Sequence, residues 1–167
     1  MAVRPVVRLP NPVLKRVADP VSGIGPEEAG LAADLLDTMA ASSACVGVAA
    51  PQIGVSLRAF CVDITGHRKA DSCHGAFVLF NPVLILARHV ELAREGCLSV
   101  PDLTGNVARA AEVVVRGLTP EGTIRVIEAN AFEARALLHE LDHLDGLLFI
   151  DRVGSLTTDV FRRKRYR

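Results

Sequence analysis

Neither positive nor negative charge predominates in this chain of 167 residues, because 19 lysines and arginines balance 19 aspartates and glutamates. A net charge of zero gives no general reason to expect DNA or a membrane surface as a partner. No apolar run reaches the roughly 20 residues of a transmembrane helix, and prolines at positions 5, 10, 12 and 20 interrupt any apolar core of a signal peptide. We therefore expect a cytoplasmic protein. Its 4 irregularly spaced cysteines are expected to be thiols or metal ligands rather than disulfides.

Half of the residues are hydrophobic, which at this length predicts a single domain, residues 1–167, with a substantial core. Pro26 with the two glutamates after it predicts the start of a helix. Short runs of β-branched and aromatic residues predict strands at 58–64, 77–80, 83–87, 112–118 and 123–128. No strand alternates with a helix of crossover length. We therefore expect an α+β fold, with mainly antiparallel sheets packed around a central helix.

Three connecting segments have an informative composition. The prolines of Leu9–Leu14 predict an extended arm on the surface. Thr119–Gly122 is typical of a hairpin turn. Residues 66–75 include His67, Cys73 and His74, which would suit a second metal site, but a solvated loop is the interpretation that we favour because none of the three lies on a predicted rigid element.

The central helix carries an H-E-x-x-H motif at His139–His143. On a helix the two histidines lie about 40° apart around the axis, so both imidazoles reach one ion from the same face. Glu140 lies about 100° from His139, which places its carboxylate beside the ion rather than among its ligands. This arrangement would let Glu140 hold a water molecule that the ion activates.

Such a motif also arises by chance, so the surroundings of this helix matter. Asn130 is a suitable N-cap, Glu133 three residues later completes a capping-box pair, and Gly146 supplies a C-terminal stop. These residues predict a helix over 131–145. Its apolar positions surround most of the axis, as in a helix that is buried on nearly all sides. Two histidines in such a helix favour a metal site.

Two segments outside this helix also suggest chemistry. Cys45–Gly54 is a run of small residues, which is typical either of a flexible turn or of a backbone that approaches a ligand closely, with Gln52 as the polar group. Glu95–Pro101 is expected to be neither regular helix nor strand. In it, Cys97 would complete a site of two histidines and leave one position for water. The backbone N–H groups after Cys97 would then point at a substrate oxygen.

Together these segments resemble the peptide deformylases, which remove the formyl group from the N-terminal methionine of new bacterial polypeptides. The family's G-x-G-x-A-A-P-Q stretch is similar to Cys45–Gln52, its E-G-C-L-S stretch is present unchanged at Glu95–Ser99, and its Q-H-E-x-D-H stretch is similar to Leu138–His143. Leu9–Leu14 also resembles the family's P-D-P-x-L segment. Two positions depart from the family pattern. Cys45 replaces its first glycine and Leu138 replaces its glutamine.

The resemblance implies a function for each matching position. Cys97, His139 and His143 match the metal ligands, Glu140 the catalytic acid and base, and Gln52 the side chain that stabilises the oxyanion, assisted by the backbone N–H of Leu98. The family's metal is typically Fe²⁺, with Zn²⁺, Ni²⁺ or Co²⁺ as possible substitutes, one ion per chain. The implied substrate is an N-formyl-methionyl peptide, and the products are formate and a free N-terminus. The implied fold has antiparallel sheets around the motif-bearing helix.

Six residues are expected to contact the substrate. Phe132 and Ala136 fall about 20° and 60° from His139 around the helix axis, so they would wall the space for the methionine side chain. The pocket is completed by residues of the other two motifs, Val46, Gly47, Glu95 and Gly96. Close walls of small residues such as Gly47 would favour a formyl group over an ordinary peptide.

Two other functions remain open at this point. A zinc peptidase also uses H-E-x-x-H, but this interpretation leaves Cys45–Gln52 and Glu95–Ser99 without a task. A specialised or non-catalytic relative is the other alternative, and a non-catalytic relative is expected to have lost Glu140 or a ligand.

Five of the last six residues, 162–167, are basic. A solvated tail is the default interpretation of such a run. The alternative is a contact with ribosomal RNA, because dense positive charge favours a polyanion and the family's substrate emerges from a ribosome.

Overall fold

An antiparallel sheet is the central element of the fold. The computed structural model describes residues 2–164. Its 6 strands are β1 Gly47–Ala49, β2 Ala59–Val62, β3 Phe77–Cys97, β4 Val100–Leu118, β5 Ile124–Asn130 and β6 Val160–Arg162. The first five pair in chain order, and β6 joins the sheet beside β4. Every pair of strands is antiparallel, as predicted from the lack of crossover helices.

Two helices cover this sheet from opposite faces. Helix α1 spans Pro26–Ala41, and helix α2 spans Ala131–Leu144. Side chains alternate between the two faces along β2: Ala59 and Cys61 pack with α1, whereas Phe60 and Val62 pack with α2. The predicted α+β fold with a central helix is therefore confirmed. Within the described residues, no helix is long and apolar enough to cross a membrane.

Strands β3 and β4 form a hairpin that is much longer than predicted. They contain 21 and 19 residues, whereas the sequence predicted separate short strands over 77–80, 83–87 and 112–118. The strand passes Asn81–Pro82 because the register shifts there, between Phe80 and Val83, and Asn81 takes a φ of 46°. Glu95–Cys97 is consequently the end of a strand, and Leu98 and Ser99 form the turn into β4, so the expectation that this run is irregular was wrong.

Helix α2 has almost the predicted limits, but its N-terminus is held differently. Gly146 follows the helix with a φ of +71°, as a C-terminal stop requires. Asn130 occupies the N-cap position without a capping hydrogen bond, and its Oδ1 accepts instead from the backbone N–H of Ser72 at 2.9 Å. Glu133 is fully buried and accepts from the Ser72 hydroxyl at 2.6 Å and from the His74 N–H at 2.9 Å. The predicted capping box is therefore replaced by contacts that anchor the loop 66–75.

The N-terminal arm also differs from its prediction, because it is not confined to the surface. Residues Pro12–Lys15 form a short 3₁₀ helix in which Leu14 is fully buried. Upstream, the Val7 N–H donates to the Gln52 carbonyl at 2.8 Å and the Leu9 N–H donates to the Ser99 carbonyl at 3.1 Å. The arm thus ties together two segments that the sequence assigned to one site.

Candidate metal and catalytic site

Three predicted ligands meet between the end of β3 and helix α2. The ligand atoms of Cys97, His139 and His143 all lie within 4.8 Å of one another, and Cys97 Sγ is 3.4 Å from His143 Nε2. Among residues 2–164 this is the one group of three or more His, Cys, Asp or Glu side chains with such a geometry.

His139 is held in place by Glu95. Its Nδ1 lies 2.9 Å from Glu95 Oε2, which leaves Nε2 as the ligand nitrogen. Arg109 and Arg135 also donate to the Glu95 carboxylate, at 2.8 to 3.0 Å and 2.8 Å. Burial alone would raise the pKa of Glu95, but hydrogen bonds from His139 and Arg109 hold it well below its usual range. The expected contact of Glu95 with substrate stays a prediction, and the structure gives its carboxylate three partners, His139, Arg109 and Arg135.

The two arginines behind Glu95 were not recognised in the sequence. Arg109 is 6% exposed and Arg135 is 8% exposed, although both residue types usually lie on the surface. Arg109 also donates to Asp142, which in turn accepts from Arg152 at 2.7 Å. For Arg135 the sequence did contain a signal. It precedes His139 by four residues, and residues at i and i+4 share a helix face, so its side chain could have been expected near the site. Arg109 in a strand gave no comparable signal.

Cys97 has the chemistry of a thiolate ligand. Burial opposes ionisation, but the neighbouring histidines His143 and His139 outweigh it and lower the pKa of this thiol well below its ordinary value. A thiolate with two imidazoles is a donor set that binds divalent transition metals and leaves a fourth position open. The residues present therefore fit the metal ion that the sequence predicted.

Glu140 lies beside this group and has an unused oxygen. Its side chain is 4% exposed, and Oε2 has no hydrogen-bond partner among the described residues. Burial raises the pKa of the carboxyl to about 7, against the opposing effect of His139 and His143. A buried carboxylate with a free oxygen next to three predicted metal ligands is an arrangement that suits the transfer of a proton to or from bound water.

Gln52 presents its amide nitrogen to the same place. It comes from a 3₁₀ helix at Ala50–Ile53 that directly follows β1, so the small-residue segment is ordered structure and not a flexible turn. Gln52 Oε1 accepts from the Ala49 N–H at 2.9 Å, which turns Nε2 towards Ser99 Oγ at 3.2 Å and Cys97 Sγ at 3.5 Å. Leu98 follows Cys97 in the turn between β3 and β4.

These residues line one cavity of about 240 Å³, which we call the central pocket. Its walls include all six residues that were expected to contact substrate, namely Val46, Gly47, Glu95, Gly96, Phe132 and Ala136. Of the predicted catalytic residues and ligands, Cys97, Leu98, Gln52, His139 and Glu140 also line it, and His143 lies behind them at 1% exposure.

The central pocket is also lined by residues that the sequence did not assign to it, among them His67, Arg94 and Arg163. The His67 ring stacks on Phe132 with ring centres 3.9 Å apart, so the loop 66–75 closes one wall rather than lying wholly in solvent. Arg163 belongs to the basic end of the chain. The interpretation of 162–167 as a solvated tail was therefore wrong for its first two residues. Arg162 is part of β6, and the backbone N–H of Arg163 donates to the Asp102 carbonyl of β4. Residues 165–167 lie outside the described residues.

The two departures from the family pattern are accommodated. The left-handed backbone conformation falls on Ala44, with a φ of 56°, and not on Cys45, so the side chain at position 45 causes no strain of that kind. Cys45 Sγ donates to the Gly47 carbonyl at 3.1 Å. Leu138 packs against the core cluster of α2 and does not belong to the wall of the central pocket.

Comparisons with known proteins agree with this geometry. A family model described as polypeptide deformylase matches residues 3–159. A peptide deformylase of Desulfitobacterium hafniense is 42% identical over 152 residues, which are 91% of this chain and 95% of that protein. A crystal structure of a peptide deformylase from Legionella pneumophila has a TM-score of 0.84 and 37% identity, covering 93% of this chain and 88% of that one.

A class I type b enzyme from Acinetobacter baumannii, solved with Met-Ala-Ser bound, has a TM-score of 0.83 and 35% identity and covers 91% of this chain and 99% of that one. Sequence, fold and site agree across nearly the full length, and the chain therefore belongs to the polypeptide deformylase family.

Proposed function

We propose that the central pocket receives the N-terminal formyl-methionine of a nascent polypeptide, and that Glu140, Gln52 and the Leu98 backbone carry out the deformylation for which the family is named. The observation that carries this assignment is the convergence of the three ligand atoms within 4.8 Å beside a buried carboxylate whose Oε2 is unpaired. All described strands belong to one sheet. We therefore treat residues 1–167 as a single catalytic domain.

Cys97, His139 and His143 would hold one divalent ion per chain, and we propose Fe²⁺, with Zn²⁺, Ni²⁺ or Co²⁺ as possible substitutes. A thiolate with two imidazoles is compatible with all four of these metals. When bound, such an ion lowers the pKa of a coordinated water from about 15.7 towards 7 and polarises a carbonyl oxygen.

Glu140 is the group that moves the proton. Its free Oε2 accepts the proton of the attacking water, and the same carboxyl then donates it to the amine that leaves as the C–N bond of the formamide breaks. The products are formate and a peptide with a free N-terminus. Because Oε2 has no hydrogen-bond partner among the described residues, this proton transfer breaks no existing hydrogen bond.

Gln52 and Leu98 stabilise the negative charge that develops on the formyl oxygen. The Gln52 amide is fixed by the hydrogen bond from the Ala49 N–H, and its Nε2 donates to the formyl oxygen in exchange for its 3.5 Å contact with Cys97 Sγ. The Leu98 N–H is the second donor. Removal of one such donor typically costs about 10² to 10³ in turnover.

The walls of the central pocket provide the selectivity. Gly47, the first residue of β1, and Val46 before it line the pocket opposite helix α2. The space that they leave suits a formyl hydrogen better than a larger substituent. Phe132 and Ala136 border the space for a flexible thioether side chain. The related enzyme from Acinetobacter baumannii has been solved with Met-Ala-Ser bound, which supports a methionyl peptide as the ligand of this chain.

Formate release distinguishes this proposal from its alternatives. The enzyme loaded with Fe²⁺ under anaerobic conditions, or with Ni²⁺, is expected to release formate from formyl-Met-Ala-Ser and to leave unformylated Met-Ala-Ser intact. Cleavage of the unformylated peptide would indicate a zinc peptidase. A metal-loaded protein that performs neither reaction would be a non-catalytic relative.

We also propose that the basic end of the chain contacts ribosomal RNA, and that the enzyme acts in the cytoplasm, where nascent chains emerge. The support is the density of positive charge in the last six residues. Since Arg162 and Arg163 belong to the folded part, the test is deletion of 165–167. The deletion is expected to weaken co-sedimentation with ribosomes at low salt without changing the kinetics of small peptides. Unchanged co-sedimentation would contradict the proposal.

A further inference from the structure

The end of strand β6 brings an arginine into the catalytic pocket. Strand β6 pairs with Leu103–Gly105 of β4, and the next residue, Arg163, donates its backbone N–H to the Asp102 carbonyl at 2.8 Å. The side chain of Arg163 then lies across Gly96, the neighbour of Cys97. A Cβ placed on Gly96 would lie 3.1 Å from Arg163 Cζ and would collide with its terminal nitrogen. The guanidinium occupies space that only a glycine leaves open.

Arg163 has a charged neighbour at the same rim, and among residues 2–164 neither of the two forms an ion pair with an acidic side chain. Arg94 also lines the central pocket, with its guanidinium 3.7 Å above the Phe161 ring and hydrogen bonds to Asn106 and Thr104, which are neutral. Within residues 2–164, no carboxylate oxygen lies within 4.0 Å of either guanidinium.

The nearest carboxylate in sequence cannot neutralise this rim. Glu95 stands between Arg94 and Gly96, but its carboxylate accepts from Arg109, Arg135 and His139 and is 4% exposed. Within the described part of the chain, two guanidinium groups therefore lie where the pocket opens beside Cys97 with no carboxylate oxygen within 4.0 Å of them. An exposed guanidinium of this kind binds a carboxylate through two parallel hydrogen bonds.

The substrate is a source of such a group. If the formyl carbon lies at the ligands and the methionine side chain lies by Ala136, the next residues of the peptide leave the pocket over its rim. One extended residue spans about 3.3 to 3.6 Å, so the second and third residues of the peptide are the ones within reach of a side chain that covers Gly96.

We propose that Arg163, assisted by Arg94, is a specificity-determining residue that binds a carboxylate on the second or third residue of the formylated peptide. The carboxylate is either an acidic side chain of a nascent chain or the free C-terminus of a short peptide. This inference rests on the proposed function of the central pocket.

The test compares peptides that differ in one charge. We would measure kcat/KM for formyl-Met-Ala-Glu amide and formyl-Met-Ala-Lys amide, with formyl-Met-Ala-Ser as the free acid and as the amide. The parent enzyme is expected to prefer the Glu peptide over the Lys peptide by about 5- to 10-fold at low salt, and less at 0.5 M NaCl because exposed charges are screened. A preference for the free acid of the Ser peptide over its amide would identify the C-terminus as a second source of the carboxylate.

Variants locate the effect. Arg163→Gln is expected to reduce the preference to about 2-fold or less, and Arg163→Glu is expected to reverse it. The matched control is Arg162→Gln. Arg162 is the exposed last residue of β6, directly before Arg163, and it does not line the pocket. It should keep the parental preference. Arg94→Gln should reduce the preference partly.

Each outcome has a separate meaning. An equal Glu-to-Lys ratio in the parent and Arg163→Gln would overturn the inference, as would a loss of activity that is the same for all peptides, which would indicate a purely structural role for the end of β6. If the metal-loaded parent deformylates none of the peptides, the proposed function has failed instead.

Discussion

Gly47 lies directly against the carboxylate of Glu140. A Cβ at position 47 would be 2.6 Å from Glu140 Oε1 and 2.9 Å from its Cδ, so no other residue fits without displacing the carboxylate. Strand β1 therefore fixes the position of Glu140 from the side opposite to its own helix. Gly47 corresponds to the second glycine of the family's G-x-G-x-A-A-P-Q stretch, and this close contact is the steric reason for a glycine there.

The first prediction tests this contact. Gly47→Ala is expected to lower kcat on formyl-Met peptides by about 10- to 100-fold, because a displacement of about 1 Å at a reacting group costs up to 10²-fold. Metal content should stay at the parental level. The control is Gly30→Ala, since a Cβ there meets nothing within 4 Å and alanine stabilises a helix by about 1 kcal/mol over glycine. An unchanged kcat in Gly47→Ala would contradict the steric argument.

Glu140 itself provides the second prediction. Glu140→Ala removes the proton carrier but none of the three ligand side chains, so the protein is expected to bind its metal and to lose at least about 10² in turnover. Metal analysis and formate release on the same sample provide the measurement. Near-normal turnover with metal retained would remove Glu140 from the mechanism.

The third prediction concerns the methionine space beside Ala136, a side chain that is 6% exposed and faces the central pocket. Ala136→Leu should fill this space and reduce kcat/KM for formyl-Met peptides more than for formyl-Ala peptides, shifting the preference by about 1–3 kcal/mol. The melting temperature and metal content serve as controls. Equal losses for the two substrates would place methionine elsewhere.

Glu95 allows a prediction on stability. Glu95→Gln keeps the size of the side chain but leaves Arg109 and Arg135 without their shared carboxylate, and breaking a buried ion pair in this way costs about 3–5 kcal/mol. Metal affinity should fall by about 10- to 100-fold because His139 loses its anchor. Urea unfolding and metal competition would measure the two effects. Glu112→Gln, whose side chain is 51% exposed, should change the free energy of unfolding by less than about 0.5 kcal/mol.

The fifth prediction follows from the protonation of Cys45. Burial raises the pKa of this thiol to about 11, and the polar backbone of Gly47 offsets only part of that rise. At pH 8 the reactive thiolate is then about one part in 10³. In the metal-loaded protein, where the Cys97 thiolate is a ligand, iodoacetamide should label the exposed Cys73 before Cys45, and the rate at Cys45 should rise about tenfold per pH unit from pH 8 to 10. Mass spectrometry of the labelled peptides checks the order, and equal rates at pH 8 would refute it.

The sequence predicted the parts of the site whose chemistry is local. His139, Glu140 and His143 are placed by helix periodicity, and the end of helix α2 at Gly146 follows from the left-handed conformation that glycine accepts. Cys97 was recognised as a ligand because of its residue type and motif, although the strand that carries it was not.

What the sequence left undetected depends on contacts between distant segments. The continuation of β3 past Asn81–Pro82 needs a bulge that is stabilised by its partner strand. Arg109 was not recognised as a buried residue. A buried charge is tolerated only where partners such as Glu95 and Asp142 are present, and the sequence does not show that these partners meet it. Arg163 was assigned to a tail because its density of like charges resembles one, and only the pairing of β6 with β4 brings it back to the pocket.

The distribution of the predicted ligands over the fold couples ion binding to folding. Two imidazoles come from one helix turn, but the thiol of Cys97 is 46 residues away from His143, at the tip of the hairpin that β3 and β4 form. Helix α2 alone offers an ion two of the three ligands, and the third is added only when the hairpin packs against the helix. Tight binding of the ion therefore requires this long-range contact, so the bound ion stabilises the folded chain over the unfolded one.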